Sequence, residues 1–190
     1  MFRSSDDLFM VPESISCNSV DLYHCHEFPA KWVREATLLE GRVVDTTIWQ
    51  HEGLWLADDD AGRTRFTRRL SLPFYSESLT GDWKFHPANP ISTDIRNNRG
   101  AGNIFPSGER LIRPSQSCSP IYGYSFSFNE ITELSKEHYA EQRLRTITPW
   151  NGWCAVHTYN RAGKVELIDG AAMMPLKKLL NAARSQAPSG

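Results

Sequence analysis

Two carboxylates stand at the ends of short apolar segments, where a side chain is placed to meet a ligand. Asp45 lies near the start of the β-branched segment 43–49, and Glu13 ends the apolar segment 8–13. A pair of carboxylates flanking a sugar is the minimum for glycoside hydrolysis, with one as acid and the other as nucleophile or base. The sequence therefore makes both residues catalytic candidates. The alternatives are a turn residue bonding its own backbone at Asp45 and an ordinary exposed strand end at Glu13.

A second group of polar and aromatic side chains could bind a ligand. Its members are Arg99, Arg113, Gln116, Tyr122, His157 and Asp169. Guanidinium and amide groups suit paired contacts to sugar hydroxyls, phosphate or carboxylate, and a tyrosine ring can stack on a sugar. The alternatives are an arginine at 113 that ties neighbouring sheets together through carbonyls and a core histidine at 157. We expect Trp49 and Trp55 to pack in the core.

The chain also repeats a short sequence motif. A short apolar strand follows a polar turn at Leu8, Leu54, Leu111 and, more weakly, Val165, at intervals of 46, 57 and 54 residues. A period of roughly 40 to 50 residues with several short strands per unit is typical of β-propeller blades. Each copy ends in polar groups, and blades gather such strand ends around one axis. We therefore expect a shared axial pocket.

The predicted fold is all-β, a partial β-propeller of four-stranded antiparallel blades. Residues 1–170 are predicted to hold two full blades and two half blades, because Met1 falls in the turn before a second strand and the last unit ends near Asp169. A closed ring needs about four blades, and an open edge invites pairing with another chain. We expect either a fragment of a larger propeller or a protomer that completes its ring with a partner.

Two helical stretches are predicted beside the strands. Residues 129–141 carry apolar side chains at helical spacing and predict a short helical insertion within the third unit. The C-terminal region, residues 171–190, is predicted to contain a helix over 175–183 and a disordered tail.

Composition excludes several classes of protein. The chain has 190 residues, of which 40% are hydrophobic, and its net charge is −1. A chain so close to neutral has no overall positive potential to attract nucleic acid or an anionic membrane. No segment reads as a signal sequence or is long enough to span a membrane. The 4 cysteines form no CxxC pair and are expected to be reduced. These features predict a cytoplasmic protein.

Metal and cofactor motifs are weak. His24 and His26 share one face of a predicted strand, but two ligands do not close a zinc site. The acidic run Asp58-Asp59-Asp60 is more typical of a solvated turn than of a calcium site. The sequence therefore predicts no metal and no cofactor.

Several motifs, taken in order, resemble a known family. They are Phe9-Met10-Val11-Pro12-Glu13-Ser14, Phe28-Pro29-x-x-Trp32, Val44-Asp45-Thr46-Thr47, Gly81-Asp82-Trp83-x-x-His86-Pro87-x-Asn89-Pro90, Arg99-Gly100-Ala101-Gly102-x-Ile104-Phe105, Arg113-Pro114-Ser115-Gln116-x-Cys118 and Val156-His157-Thr158. The series resembles the propeller domain at the N-terminus of plant glucosamine inositolphosphorylceramide transferases, which also occurs in bacterial proteins, alone or beside formyltransferase-like or glycosyltransferase domains. The resemblance covers about residues 8–169.

That resemblance has consequences for fold and site. It implies the five-bladed propeller of the arabinanase, levansucrase and invertase group, truncated here at its N-terminus. Related propeller glycosidases use three acids on different blades, and by this resemblance one acid would lie on a blade that this chain lacks.

Three functions follow from these patterns. We expect a carbohydrate-related propeller domain that binds or presents a glycan or glycoconjugate to a glycosyl- or formyl-transferase partner. One alternative is a glycoside hydrolase-like enzyme that uses axial carboxylates, Asp45 among them. The other is an inactive remnant of a truncated gene. The expected partners are a sugar-containing ligand and either a transferase domain or a second protomer, with no nucleic acid and no membrane span.

Overall fold

Four antiparallel sheets follow one another along the chain in a computed structural model that describes residues 1–13, 15–61 and 70–173. The first sheet contains β1 (Phe2–Ser4), β2 (Asp7–Met10), β3 (Ser19–Glu27) and β4 (Lys31–Glu40). The second contains β5 (Val43–His51), β6 (Leu54–Ala61), β7 (Leu70–Ser76) and β8 (Lys84–Phe85). In both sheets the strands neighbour each other in chain order.

The third sheet has an interrupted first strand, and the fourth has two strands. The third contains β9 (Arg99–Gly100), β10 (Phe105–Ser107), β11 (Arg110–Ser117), β12 (Ser125–Leu134) and β13 (Tyr139–Ile147). The fourth contains β14 (Trp153–Ala162) and β15 (Val165–Ala172). β10 pairs with the beginning of β11 and β9 with its end, so the two short strands act as one strand broken between them. The predicted all-β class with four-stranded antiparallel units is confirmed.

The predicted helical insertion at 129–141 is wrong. These residues belong to β12, to β13 and to the turn between them, where the Ser135 N–H donates to the His138 carbonyl at 2.9 Å. Ser127, Asn129 and Ile131 are buried at every second position, which is the period of a strand. The helix predicted over 175–183 lies outside the described residues. In the described part of the chain, the helical structure is one 3-10 turn, Ile15–Cys17.

The first sheet has a short strand that the sequence did not predict. β1 pairs with β2 through Phe2 opposite Phe9. Phe2 also packs on Trp55 of the second sheet, with ring centroids 5.8 Å apart. Three residues with one aromatic side chain show too little periodicity to predict a strand. The packing of Phe2 on Phe9 and Trp55 stabilises it.

Apolar side chains join the sheets in pairs. One cluster lies between the first and second sheets and comprises Val20, Leu22, Leu38, Ile48, Trp55, Ala57 and Phe74. Another joins the third and fourth sheets and comprises Ala101, Phe126, Val156 and Tyr159. Trp49 and Trp55 are buried, as expected. No helix among the described residues has the length and apolar character needed to cross a bilayer.

Candidate functional site

Asp45 lies in a β-bulge on the first strand of the second sheet. The register of β5 against β6 steps from Val44–Asp60 to Thr47–Asp58, which leaves one extra residue on β5. Asp45 has a φ of 59°, in the left-handed region that aspartate tolerates better than most residues. A bulge re-aims the side chain of its extra residue. Here it turns the Asp45 carboxylate toward the third sheet.

Arg99 holds that carboxylate. Its Nε donates to Asp45 Oδ2 at 2.7 Å, and its Nη2 donates to the same oxygen. The Arg99 side chain is 7% exposed, whereas the Asp45 side chain is 37% exposed. The ion pair therefore presents its anionic member to solvent and buries the cation behind it.

Glu13 approaches from the first sheet. Its Oε2 accepts the backbone N–H of Asp45 at 2.9 Å. Glu13 follows the end of β2, so this bond joins the first sheet to the bulge of the second. Three of the residues singled out in the sequence, Glu13, Asp45 and Arg99, therefore meet in one place.

His157, Thr158 and Asp169 form a second polar group on the fourth sheet. The register shifts between Val156 and Thr158, which places His157 in another bulge. His157 Nδ1 lies 2.7 Å from Asp169 Oδ2, and the Thr158 N–H and hydroxyl donate to Asp169 Oδ1 at 2.6 and 2.8 Å. Burial opposes the charge of Asp169, but the hydrogen bonds from Thr158 and His157 outweigh it and lower the pKa of this carboxyl.

Tyr122 connects the two groups. The Arg99 guanidinium lies 5.0 Å from the centre of the Tyr122 ring, and the His157 ring meets it edge-on at 5.6 Å. A guanidinium over an aromatic face is attracted by the ring quadrupole. Six of the eight predicted site residues thus form one connected line: Glu13, Asp45, Arg99, Tyr122, His157 and Asp169.

A cavity of 280 Å³ opens beside this line. Segments from all four sheets form its wall: Met1, Val11, Pro12, Glu13, Ser19, Val20, Val43, Asp45, Thr46, Thr47, Gly100, Gly102, Asn103, Thr158 and Asn160. Its size is near the lower end of small-molecule sites, about 300 Å³. The wall therefore suits a ligand of one or a few rings.

The polar side chains of the wall are carboxylates, hydroxyls and amides. Carboxylates accept hydrogen bonds, hydroxyls both donate and accept, and amides offer one group of each kind. Among the described lining residues, none is a lysine, arginine or histidine. The wall offers donors and acceptors to an uncharged polyol and gives an anion few partners.

Arg113 lies outside this cavity. It is 1% exposed, and its guanidinium donates to Glu141 at 2.8 and 2.9 Å, to Asp58 at 3.1 Å and to the Asn97 carbonyl at 3.1 Å. Asp58 belongs to the second sheet and Glu141 to the third. The structural alternative, an arginine that ties neighbouring sheets, describes these contacts, although carboxylates supply most of the acceptors.

The charge of Arg113 is stabilised by two carboxylates, those of Asp58 and Glu141. Burial opposes the charge of Arg113, but Asp58, Tyr139 and Glu141 raise its pKa well above the ordinary value. Burial likewise opposes the charge of Glu141, and hydrogen bonds from Arg113, Tyr139 and Asn97 lower its pKa. A buried carboxylate that keeps its charge in this way depends on the arginine beside it.

Gln116 also lies behind the cavity wall. It is buried, pairs through its backbone with Arg99, and its Oε1 accepts from Cys118 Sγ at 3.4 Å. Gln116 therefore supports the strand that carries Arg99.

The sequence analysis missed several wall residues. Asn103 and Asn160 are linked by a bond from the Asn103 N–H to Asn160 Oδ1 at 3.2 Å, and Thr158 also lines the cavity. One signal could have found Thr158, because Asp45-Thr46 and His157-Thr158 stand at matching bulges of two repeats. The asparagines carry no such signal, since they come from a loop and from a strand with no shared pattern.

Comparisons with known proteins place most of the chain in one family. The family model described as glucosamine inositolphosphorylceramide transferase 1, N-terminal, matches residues 1–157. The chain is similar to glucosamine inositolphosphorylceramide transferase 1 of Oryza sativa subsp. japonica, at 32% identity over 164 residues, which is 80% of this chain and 22% of that protein. It is also similar to the Arabidopsis thaliana protein of that name, at 34% identity over 80% of this chain and 21% of the relative.

The matches cover most of this chain but only a small part of each relative. The chain spans about one fifth of the length of these curated relatives. No solved structure matches it.

Proposed function

We propose that this chain, which belongs to the family of glucosamine inositolphosphorylceramide transferase N-terminal domains, binds a glycan and presents it to a transferase domain. Membership of this family supports a role related to glycosylation, and the cavity supports the binding step. The relatives bear the name of a transferase and extend far beyond the matched segment, which fits a partner domain on a longer chain or in a complex.

The observation that carries the proposal is the composition of the cavity wall. All four sheets contribute to this 280 Å³ cavity. Its polar side chains are carboxylates, hydroxyls and amides, and Met1, Val11, Pro12, Val20 and Val43 add apolar surface. Sugar hydroxyls need both donors and acceptors at fixed positions, which such a wall supplies. The ion pair of Asp45 with Arg99 and the bond from Asp45 N–H to Glu13 fix these positions before a ligand arrives.

We also propose that the four sheets are blades of a five-bladed β-propeller. Their order along the chain and the convergence of β5, β9 and β14 residues on one cavity support this arrangement. In a propeller, the first strands of the blades surround a central channel. The cavity would then be part of that channel.

A glycoside hydrolase-like activity is the second candidate, because Glu13 and Asp45 line the same cavity. Hydrolysis needs one carboxyl that donates a proton and one that acts as nucleophile or base. Here both carboxylates accept hydrogen bonds within the protein, from the Asp45 N–H and from Arg99. These contacts fit binding better than proton transfer, so binding is placed first.

Saturation-transfer NMR with a panel of neutral monosaccharides and disaccharides tests the proposal. We expect saturation transfer to at least one sugar. Asp45→Asn should weaken that binding about tenfold or more, since a hydrogen bond to a charged group contributes about 1.5–3 kcal/mol. Asp94→Asn is the matched control, because Asp94 pairs with Arg96 outside the cavity. Absence of binding to the whole panel, or equal affinity of the Asp45 variant, would refute the sugar site.

A hydrolysis assay with aryl glycosides and a thermal unfolding measurement separate the other possibilities. Release of free sugar from aryl glycosides, abolished in Asp45→Asn, would favour hydrolysis over presentation. A chain that unfolds without cooperativity and binds nothing would fit the inactive remnant.

A further inference from the structure

A second cavity of 220 Å³ adjoins the first. Tyr122, Gly123, His157 and Asp169 line it, together with residues at the end of β15. His157 lines this second cavity and the next residue, Thr158, lines the first. Consecutive Cα atoms are about 3.8 Å apart, and both side chains contact the Asp169 carboxylate. The two cavities therefore lie next to each other at this bulge.

Arg99 and Thr158 couple the two cavities. Arg99 pairs with Asp45 of the first cavity and lies 5.0 Å from the Tyr122 ring of the second. Thr158 lines the first cavity and donates twice to Asp169 of the second. Arg99 and Thr158 therefore each contact residues of both cavities.

Tyr122 is an exposed ring in a fixed position. It is 57% exposed, yet Arg99 and His157 contact it from two directions. Gly123 has a φ of 65°, and a Cβ there would come within 2.7 Å of His157 Cδ2, so a glycine is needed for the ring of His157 to pack here. A rigid aromatic surface beside convergent polar groups is the usual make-up of a small-molecule site.

His157 lines the same cavity and carries a polar ring. Its Nδ1 is engaged with Asp169 at 2.7 Å, so Nε2 is the ring nitrogen that this contact leaves for a ligand. The carboxylate of Asp169 fixes the orientation of the ring, as carboxylates do for histidines in other sites. The cavity thus combines an aromatic surface with one oriented nitrogen.

We propose that the second cavity is a subsite for the second sugar of a glycan whose first sugar occupies the Asp45 cavity, with the second sugar stacked on Tyr122 and bonded to His157. This inference rests on the proposed function. It makes the ligand a neutral disaccharide unit or a longer glycan, in preference to a single sugar.

Isothermal titration with cellobiose, maltose and lactose, each compared with glucose and galactose, tests the subsite. At least one disaccharide should bind the unaltered chain about tenfold tighter than its component monosaccharides. Tyr122→Ala should reduce that ratio to about one, whereas Tyr122→Phe, which keeps the ring, should preserve it. Asp45→Asn should weaken mono- and disaccharides alike.

Two outcomes would overturn the inference in different ways. If monosaccharides bind in an Asp45-dependent manner but the ratio is about one, or is unchanged in Tyr122→Ala, the second subsite is wrong and the proposed function stands. If none of these sugars binds the unaltered chain, the proposed function fails and the subsite fails with it. Thermal unfolding of each variant establishes that it is folded.

Discussion

Arg99 Nε donates to Asp45 Oδ2 at 2.7 Å, between residues 54 positions apart in the sequence. The bond joins the broken first strand of the third sheet to the bulge of the second. Because Asp45 also donates its N–H to Glu13, one residue receives support from two other sheets. The cavity wall is consequently fixed by long-range polar contacts.

Arg99→Lys should weaken sugar binding about tenfold. Lysine keeps the positive charge, but it cannot donate from two rigidly held nitrogens to Asp45 Oδ2 or present a flat group to Tyr122. Isothermal titration with a sugar identified by NMR measures the effect. Arg96→Lys is the matched control, because Arg96 also contacts an aspartate, Asp94, through Nε and Nη2. Equal losses in the two variants would show that the Arg99 geometry is unimportant.

Arg113→Met should lower the free energy of unfolding by about 3–5 kcal/mol, because it leaves the buried carboxylates of Asp58 and Glu141 without their cation. Urea unfolding followed by circular dichroism measures the loss. Arg110→Met on the same strand removes only an exposed pair with Glu130 at 3.7 Å and should change stability by less than about 1 kcal/mol. A small effect of Arg113→Met would mean that the second and third sheets are held together by other contacts.

Gly102→Ala should destabilise the junction of the third and fourth sheets. A Cβ at Gly102 would lie 1.9 Å from the Tyr159 carbonyl oxygen, and the Gly102 φ is 129°. The adjacent Ala101 carbonyl accepts the Tyr159 N–H at 2.7 Å, so the backbones have no room to separate. We expect a loss above about 3 kcal/mol or failure to fold.

Gly108→Ala is the control for backbone strain. Gly108 also has a positive φ, 63°, but a Cβ there meets nothing within 4 Å. Gly108→Ala should lower the free energy of unfolding by about 1–2 kcal/mol, which is the cost of a left-handed conformation alone. Similar melting temperatures for the two alanine variants would contradict the close approach of Gly102 to Tyr159.

Acid should destabilise the protein through Glu141. The pKa of Glu141 is lowered in the folded state from 4.5, so this carboxylate stabilises the fold above about pH 4.5. That contribution is lost as the pH falls from about 4.5 through the folded pKa. Urea unfolding at a series of pH values should show a steeper decline for the unaltered chain than for Glu141→Gln.

The exposed Glu77 supplies the control for this pH dependence. Its pKa is also lowered, chiefly by the hydrogen bond from Lys136, but the pair is exposed and screened by solvent. Glu77→Gln should therefore leave the decline nearly unchanged. A decline that Glu141→Gln does not alter would show that other carboxyls govern acid unfolding.

The sequence predicted most strands well, because short apolar segments follow polar turns in each copy of the repeat. It also singled out Glu13, Asp45 and Arg99 as polar residues, and the structure brings these three residues together. It did not predict that Arg99 binds Asp45, since contacts over such a separation depend on how the sheets pack.

The wrong prediction of a helix over 129–141 has an equally specific cause. Ile131 and Leu134 fit helical spacing, but Asn129 and Ile131 are buried on one face at every second position, which is the pattern of a strand. For Arg113 the sequence left a ligand contact and a structural role open, and in the structure Asp58 and Glu141 engage its guanidinium. Residue type indicates what a side chain can bind, and packing determines whether a ligand reaches it.

The measurement that tests the sugar site most directly is a ¹H–¹⁵N correlation NMR titration of the chain with the tightest-binding sugar of the panel. We predict that the largest shift changes fall on the amides of Asp45, Gly100, Gly102, Asn103 and Thr158, which surround the cavity. Shift changes that map to other surfaces, with these five amides unmoved, would contradict the assignment of the cavity as the sugar site.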